Sequence, residues 1–182
     1  MKPTRFSEKV KSSIRSVPDW PKAGVVFRDL TTLWKDGRML RRTTDAFYRK
    51  YKGRRINKVL GVEARGFIVG APLALRLGVG FIPARKIGKL PFDKVTMSYD
   101  LEYSQASIEV HSDAISKGES ILIVDDLMAT AGTALAAASL VERLGGKVVG
   151  LAFVVELAFL NGREKLKNFE VFSLAKYTSE AE

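Results

Sequence analysis

Two adjacent acids follow an apolar run near the middle of the chain, in the stretch ILIVDDLMATAGTALAA (residues 121–137). Asp125 and Asp126 end what the unbroken apolar run predicts to be a buried strand, and a turn of small residues follows them. Two ionised carboxylates side by side repel each other, so they need hydroxyls, cations or backbone donors as partners. The pair therefore indicates either a polar binding site or a strand end that is capped in some other way.

The turn after the acids has the features of an anion site. Gly132 and Thr133 open a helix, so backbone N–H groups of the turn would converge on a phosphate, helped by the helix dipole. The donors would come from Ala129, Thr130, Ala131, Gly132 and Thr133. Acids for sugar hydroxyls followed by donors for a phosphate describe a ribose 5-phosphate site; the alternative is an ordinary tight turn. No Lys follows the last Gly, which counts against a nucleoside triphosphatase of the Walker type.

The composition restricts the class of protein. With 182 residues, 46% of them hydrophobic, the chain suits one domain, 1–182, with a sizeable core. A net charge of +10 favours an anionic partner, and the absence of cysteine excludes disulfides, thiolate metal sites and a cysteine nucleophile. We expect a cytoplasmic protein, because no apolar run is long enough to span a membrane and residues 1–16 lack the apolar centre of a signal peptide. The basic stretch 35–55 is either a solvated helix face or a contact for RNA or membrane.

The elements that would position the acids alternate between strands and helices. Phe6, Val10, Ile14 and Val17 have helical spacing, and an extended segment, GVVFRDLTTLW, follows within region 1–34. Region 87–110 is polar and partly alternating, which is typical of a hairpin that leaves the core, often a mobile lid. The remaining segments predict strands at NKVLGV, VGFIPARK, SILIVDD and KVVGLAFVVEL, and helices at GFIVGAPLALRLG and GTALAAASLVERLGG. This order predicts an α/β fold, a mainly parallel twisted sheet flanked by helices, with ligands at the carboxyl ends of the strands.

The stretch ILIVDDLMATAGT resembles the phosphoribosyl pyrophosphate (PRPP) motif of type I phosphoribosyltransferases, an apolar strand with two acids and a short Thr/Gly turn. Further segments are similar, in the right order, to those of the adenine phosphoribosyltransferase family. They are VPDWPKAGVVFRDLTTL, GVEARGFIVGAPLAL, GVGFIPARKIGKLP, YDLEY, IEVHSDAI and NGREKL. The resemblance covers nearly the whole chain and implies the type I phosphoribosyltransferase fold, with residues 1–34 as a helix and a base-binding hood.

The resemblance also implies a reaction in purine salvage. Adenine N9 would attack ribose C1 of PRPP, giving AMP and pyrophosphate, with Mg²⁺ bound mainly through PRPP. Asp125 and Asp126 would hold the ribose 2- and 3-hydroxyls and favour the positive charge that develops on the sugar. The implied assembly is a homodimer, and neither a membrane nor a nucleic acid is an implied partner.

The resemblance assigns further residues to the substrates. Pyrophosphate would be bound by Arg65, Arg85, Lys86 and Lys89 and by backbone N–H groups near Ala64, with Glu63–Ala64 a candidate cis peptide. Arg85 would serve either its own site or that of a neighbouring subunit. The backbone of Val26 and Arg28 would read the edge of the base, and Phe27 and Leu127 would lie on its two faces.

The implied lid carries the proton-handling group. Glu102 would reach adenine N7, and Tyr103 would close over the pyrophosphate side and exclude water. His111, the single histidine, is expected to support structure or lid rather than catalysis.

The chain departs from the family's usual pattern at two positions, with Ala131 and Ser104 where Gly is usual. If residue 131 needs a positive φ, alanine there costs on the order of 1 kcal/mol.

Two other functions remain open from the sequence. One is a transferase for 6-oxopurines. The other is a regulator that senses PRPP and binds nucleic acid through its basic surface.

Overall fold

The computed structural model describes residues 4–100 and 105–182. Its helices are α1 (Arg5–Ser12), α2 (Thr31–Trp34), α3 (Gly37–Tyr51), α4 (Arg65–Leu77) and α5 (Gly132–Arg143), with 3₁₀ turns at Ala158–Leu160 and Gly162–Leu166. Its strands are β1 (Arg15–Val17), β2 (Phe27–Asp29), β3 (Lys58–Val62), β4 (Gly80–Lys86), β5 (Lys94–Asp100), β6 (Gln105–His111), β7 (Ser120–Met128), β8 (Lys147–Leu157) and β9 (Val171–Tyr177).

Seven of these strands form one sheet in the order β5-β6-β4-β3-β7-β8-β9. Five neighbouring strands of this sheet, β4, β3, β7, β8 and β9, are parallel to one another. Strand β6 pairs antiparallel with both β4 and β5. Strands β1 and β2 form a separate antiparallel pair. The expectation of a mainly parallel α/β sheet flanked by helices is therefore confirmed.

The apolar run of β7 explains why helices cover both faces of the sheet. Side chains alternate across a strand, so neighbouring residues of the run point to opposite faces. Ile121 and Ile123 pack in the cluster that contains α5. Leu122 and Val124 pack in the cluster that contains α1, α3 and α4. Burial on both faces places the end of β7, with the two acids, at the edge of a rigid layer.

The helix boundaries follow local chemistry, with one correction near the start. Gly78 ends α4 in the left-handed conformation (φ 71°), as the sequence indicated. The helical spacing that runs to Val17 is wrong beyond Ser12, because Val17 belongs to β1 and pairs with Phe27. Ile14 is still buried in the core, so its apolar character reflected burial rather than helix.

Segment GVVFRDLTTLW is extended only in part. Phe27–Asp29 forms β2, but Thr31–Trp34 forms α2, which is stabilised where Asp29 accepts hydrogen bonds from Thr31. The expectation of an entirely extended segment is therefore wrong.

Strands β5 and β6 pair as an antiparallel hairpin in the region that the sequence predicts to be a lid. Movement of this hairpin stays a prediction. His111 Nε2 lies 2.9 Å from the Pro91 carbonyl oxygen, which ties the end of β6 to the segment before β5. Glu102, Tyr103 and Ser104 lie outside the described residues. No helix in the described part of the chain is long and apolar enough to cross a membrane.

Candidate active site

A cavity of about 220 Å³ opens at the carboxyl ends of β3 and β7. Strands β3 and β7 are parallel neighbours in the sheet, so their ends meet at one edge. Seven of the residues that the sequence assigned to substrate line it: Ala64, Arg65, Lys86, Asp125, Asp126, Leu127 and Thr133. The structure therefore brings together residues from two strands, β4 and β7, and from the starts of two helices, α4 and α5.

The two acids carry the charge of this cavity. Asp126 is almost fully buried, and Asp125 Oδ1 accepts the Asp126 N–H at 2.8 Å. Arg65 Nε lies 2.6 Å from Asp126 Oδ2, yet this oxygen accepts no aligned hydrogen bond within the described residues. Arg65 thus supplies charge, and one buried carboxylate oxygen keeps unused hydrogen-bonding capacity.

Burial raises the pKa of Asp125 well above its ordinary value, and repulsion from Asp126 raises it further. Burial also raises the pKa of Asp126, against the opposing charge of Arg65. Both carboxylates are therefore costly to ionise in this state and would be stabilised by donors or cations.

A glycine lets helix α4 approach the acids. A Cβ at Gly66 would lie 2.8 Å from the Val124 carbonyl oxygen and 3.0 Å from Asp125 Oδ1. Any side chain at this position would therefore push α4 away from the end of β7. Before this helix, the Glu63–Ala64 peptide bond is cis, as the resemblance implied.

The turn before α5 contains Ala131 in the left-handed conformation, with φ 63° and ψ 11°. The condition set by the sequence, a positive φ at this position, is met. The alanine is almost fully buried within the core cluster that contains α5. Its Cβ faces Gly162, where an added Cβ would lie 3.2 Å away. The methyl group therefore points into the protein, and Ala131 does not line the cavity.

The 3₁₀ turn that contains Gly162 is held by an ion pair between the partly exposed Arg163 and the buried Glu156, which the sequence interpretation missed. Arg163 donates from Nε and Nη2 to the two carboxylate oxygens of Glu156 at 2.5 and 2.7 Å, and Glu156 also accepts from Ser173. Burial would raise the pKa of Glu156, but the hydrogen bonds from Arg163 and Ser173 outweigh it and lower the pKa. The segment NGREKL is one of those that carry the resemblance, but its sequence alone did not indicate that Arg163 contacts Glu156 at the end of β8.

The cations assigned to pyrophosphate separate into two groups. Arg65 and Lys86 line the cavity, whereas Arg85 donates to both oxygens of Glu63 and to the Lys89 carbonyl oxygen. The Arg85 guanidinium holds the pKa of Glu63 below its ordinary value. Neither Arg85 nor the Lys89 side chain lines the cavity in this state.

The segment assigned to the base lies beside the cavity. The Phe27 ring packs edge-on against Trp20, with centroids 4.3 Å apart, and the Arg65 guanidinium lies 5.6 Å from the Phe27 centroid. Arg65 thus connects the aromatic group to Asp126. Arg28 is 2% exposed, and its side chain points into the protein. Val26 and Arg28 do not line the 220 Å³ cavity, nor do Ala129, Thr130 and Gly132 of the turn.

The sheet and the cavity define a phosphoribosyltransferase, and the family model of the phosphoribosyl transferase domain matches residues 33–178. A curated adenine phosphoribosyltransferase of Geotalea daltonii is 51% identical over 170 residues, covering 93% of this chain and 99% of the relative. The chain belongs to the adenine phosphoribosyltransferase family.

Solved structures agree with this assignment. The adenine phosphoribosyltransferase of Thermoanaerobacter pseudethanolicus has a TM-score of 0.91 at 46% identity, covering 93% of this chain and 99% of that one. The Saccharomyces cerevisiae enzyme, solved with an imino-altritol bisphosphate and adenine, has a TM-score of 0.88 at 38% identity, covering 93% and 98%.

Proposed function

We propose that this chain transfers the 5-phosphoribosyl group of PRPP to N9 of adenine, forming AMP and pyrophosphate in purine salvage. The observation that carries the proposal is the cavity in which a buried carboxylate oxygen of Asp126 has no aligned donor, beside Asp125, Arg65 and Lys86. Such a site offers acceptors for sugar hydroxyls and cations for a pyrophosphate within one small volume.

Asp125 and Asp126 hold the ribose 2- and 3-hydroxyls. Hydroxyl donors provide the aligned hydrogen bond that Asp126 Oδ2 lacks and lower the cost of ionising both acids. The negative field of the pair then favours the oxocarbenium-like transition state, in which positive charge develops at ribose C1.

Pyrophosphate is bound by Arg65, Lys86 and the backbone near Ala64. In the described state Arg65 is paired with Asp126, so substrate binding exchanges this partner for phosphate oxygens while ribose hydroxyls take its place on Asp126. Arg85 and Lys89 form a second cluster whose route to pyrophosphate is either within the same subunit or from a neighbour.

The ribose 5-phosphate is held by backbone N–H groups of the turn. The donors are those of Ala129, Thr130, Ala131, Gly132 and Thr133, at the start of α5. Because the Ala131 methyl group points toward Gly162, it leaves the phosphate side of the turn open.

Adenine lies between Phe27 and Leu127, and the backbone of Val26 and Arg28 reads its edge. Glu102 shares a proton with N7 as N9 loses its own, and Tyr103 excludes water from the pyrophosphate side. These base-side roles come from the family resemblance; the position of Arg65 between Phe27 and Asp126 supports a base slot next to the ribose site.

A divalent cation fits this site as a companion of PRPP. The two carboxylates repel each other in a partly enclosed cavity, and Mg²⁺ keeps several ligands from water and substrate rather than requiring a protein cage. When bound, Mg²⁺ neutralises charge on the pyrophosphate leaving group. Removal of Mg²⁺ by chelation should stop AMP formation, and its return should restore it.

A homodimer fits the apolar surface of α4. Ile68 (38% exposed), Ala71 and Leu75 (83% exposed) have helical spacing on one face, and Ile87 after β4 is 63% exposed. A second copy of the chain would bury this face. Light scattering should give a molar mass of twice that of the chain, and the Leu75→Asp variant should have the mass of a single chain. The cytoplasmic location stays a prediction.

The direct test is AMP formation from adenine, PRPP and Mg²⁺. Asp126→Asn and Glu102→Gln should keep the far-ultraviolet circular dichroism of the parent and lose most of the rate, whereas Asp113→Asn at an exposed position should change neither. Near-normal turnover in Asp126→Asn would contradict the role of the acids. Product from guanine and none from adenine would instead identify a 6-oxopurine transferase.

A further inference from the structure

Residues 178–182, which follow β9, fold back onto the segment assigned to the base. Glu180 Oε1 accepts the backbone N–H of Val26 at 2.5 Å, and the Glu180 carbonyl oxygen accepts from Arg28 Nη2 at 2.7 Å. Glu180 thus occupies the Val26 N–H and holds the Arg28 side chain, so adenine would use the remaining backbone groups of these two residues.

The base-reading segment has little other support from the sheet. Strand β2 pairs only with the three-residue strand β1, and their register ends at Val17 and Phe27. Val26 lies just beyond that pair, so its N–H has no partner within the strand pair. Only one residue separates Val26 from Arg28, so a contact that fixes the Val26 backbone also restricts the conformations open to the Arg28 backbone.

The Arg28 side chain anchors the same connection inside the protein. Its guanidinium lies 4.2 Å from the centroid of the buried Tyr177 ring, and Nη1 donates to Ser16 Oγ. Because Arg28 is 2% exposed, its donors depend on protein acceptors, and the Glu180 carbonyl is one of only two that accept hydrogen bonds from it within the described residues. Displacing Glu180 would leave a buried charge with fewer partners.

The other end of segment 178–182 is tied to the first helix. Glu182 pairs with Lys11 and accepts the Thr178 N–H at 2.7 Å. The hydrogen bonds of Glu182 within the described residues involve Lys11 and Thr178 and neither Val26 nor Arg28, so Glu182 provides a control within the same segment.

We propose that Glu180 is a positioning residue that fixes the Val26–Arg28 backbone in the conformation that binds adenine. The proposal rests on the proposed role of that segment in holding the base. Its consequence is specific: Glu180 affects the adenine half of the reaction, whereas the PRPP site at the ends of β3 and β7 is formed without it.

The test compares steady-state kinetics of Glu180→Ala, Glu180→Gln and Glu182→Ala with the parent. Loss of a hydrogen bond to a charged acceptor should raise the KM for adenine about tenfold in Glu180→Ala. The KM for PRPP should stay within about twofold. Glu180→Gln keeps an acceptor oxygen and should recover most of the adenine KM, and Glu182→Ala should resemble the parent. A rise of both KM values together with a lower melting temperature would mean a merely structural role and would overturn the proposal.

Phe27→Ala separates this proposal from the assignment of the base slot. If Phe27→Ala raises the KM for adenine and Glu180→Ala does not, the slot stands and the positioning role fails. If neither variant changes the KM for adenine, the assignment of the base slot is wrong and the positioning role of Glu180 is wrong as well. A lower KM for adenine in Glu180→Ala would identify Glu180 as a competitor of the base and would also overturn the proposal.

Discussion

Arg65 and Asp126 form an ion pair in the cavity, with Nε 2.6 Å from Oδ2. The carboxylate is 4% exposed and the arginine side chain 40% exposed, so the pair joins a buried acid to a cation that solvent and substrate can reach. An arginine in this position can leave the acid when a stronger anion arrives, whereas Asp126 cannot move out of the protein.

Arg65→Ala should weaken both the fold and PRPP binding. Asp126 would lose its opposite charge next to Asp125, and we expect a loss of about 1–2 kcal/mol in the free energy of unfolding, less than for a fully buried pair because Arg65 is partly solvated. The KM for PRPP should rise about ten- to hundredfold. Arg76→Ala is the control for PRPP binding, because Arg76 is also on α4 but pairs with Asp45 of α3, outside the cavity, and it should leave the KM for PRPP unchanged. An unchanged KM for PRPP would remove Arg65 from the binding site.

Asp125→Asn should stabilise the unliganded protein at neutral pH while it lowers activity. Burial and the charge of Asp126 raise the folded pKa of Asp125 above its unfolded value of about 3.9. A group whose pKa is higher in the folded protein than in the unfolded chain contributes its full stability below the pKa of the unfolded chain. That stability is lost as the pH rises through the pKa of the folded protein. Asparagine does not ionise, so it does not lose this stability, and its side-chain oxygen can still accept the Asp126 N–H. The free energy of unfolding of the variant, measured by urea denaturation, should therefore exceed that of the parent by more at pH 8 than at pH 5. Asp113→Asn should show no such trend, and an advantage that shrinks with pH would contradict the assignment.

Ala131→Gly should change stability little. Relief of the left-handed conformation is worth about 1–2 kcal/mol, but glycine adds about 0.4–1 kcal/mol of unfolded-chain entropy and removes a buried methyl worth about 0.8 kcal/mol. We therefore expect a net change within about 1 kcal/mol and a KM for PRPP within about twofold of the parent. Ala131→Val, which is β-branched at a positive φ, should destabilise by more than about 2 kcal/mol. A large gain in PRPP affinity for the glycine variant would show that the methyl group does obstruct the phosphate.

Gly162→Ala should damage PRPP binding from outside the cavity. Its Cβ would lie 2.4 Å from the Ala129 carbonyl oxygen and 3.2 Å from the Ala131 N, so the backbone of the phosphate turn must shift. We expect the KM for PRPP to rise about tenfold or more, with a loss of stability of about 1–3 kcal/mol. Gly53→Ala is the matched control, because a Cβ there has nothing within 4 Å. Kinetics like those of the parent in Gly162→Ala would mean that the backbone of the turn can shift without weakening PRPP binding.

The sequence predicted most of the sheet because its strongest signals are local. The unbroken apolar runs of β7 and β8 are the pattern of strands buried on both faces, and Gly78 is the residue that a left-handed helix end favours. Strand β9 was missed, because its alternation is weak and its pairing partner, β8, is what makes it a strand.

The sequence by itself determined the class of fold, the acid pair before an anion-binding turn, and the family whose motifs it carries. Those features depend on neighbouring residues, or on segments whose order along the chain is informative. The tertiary structure alone decided that Arg65 rests on Asp126, that Gly162 supports Ala129, and that Glu180 reaches Val26 across 154 positions. Side chains that meet only after the chain has closed leave no local periodicity, so the physical basis of these contacts lies in packing.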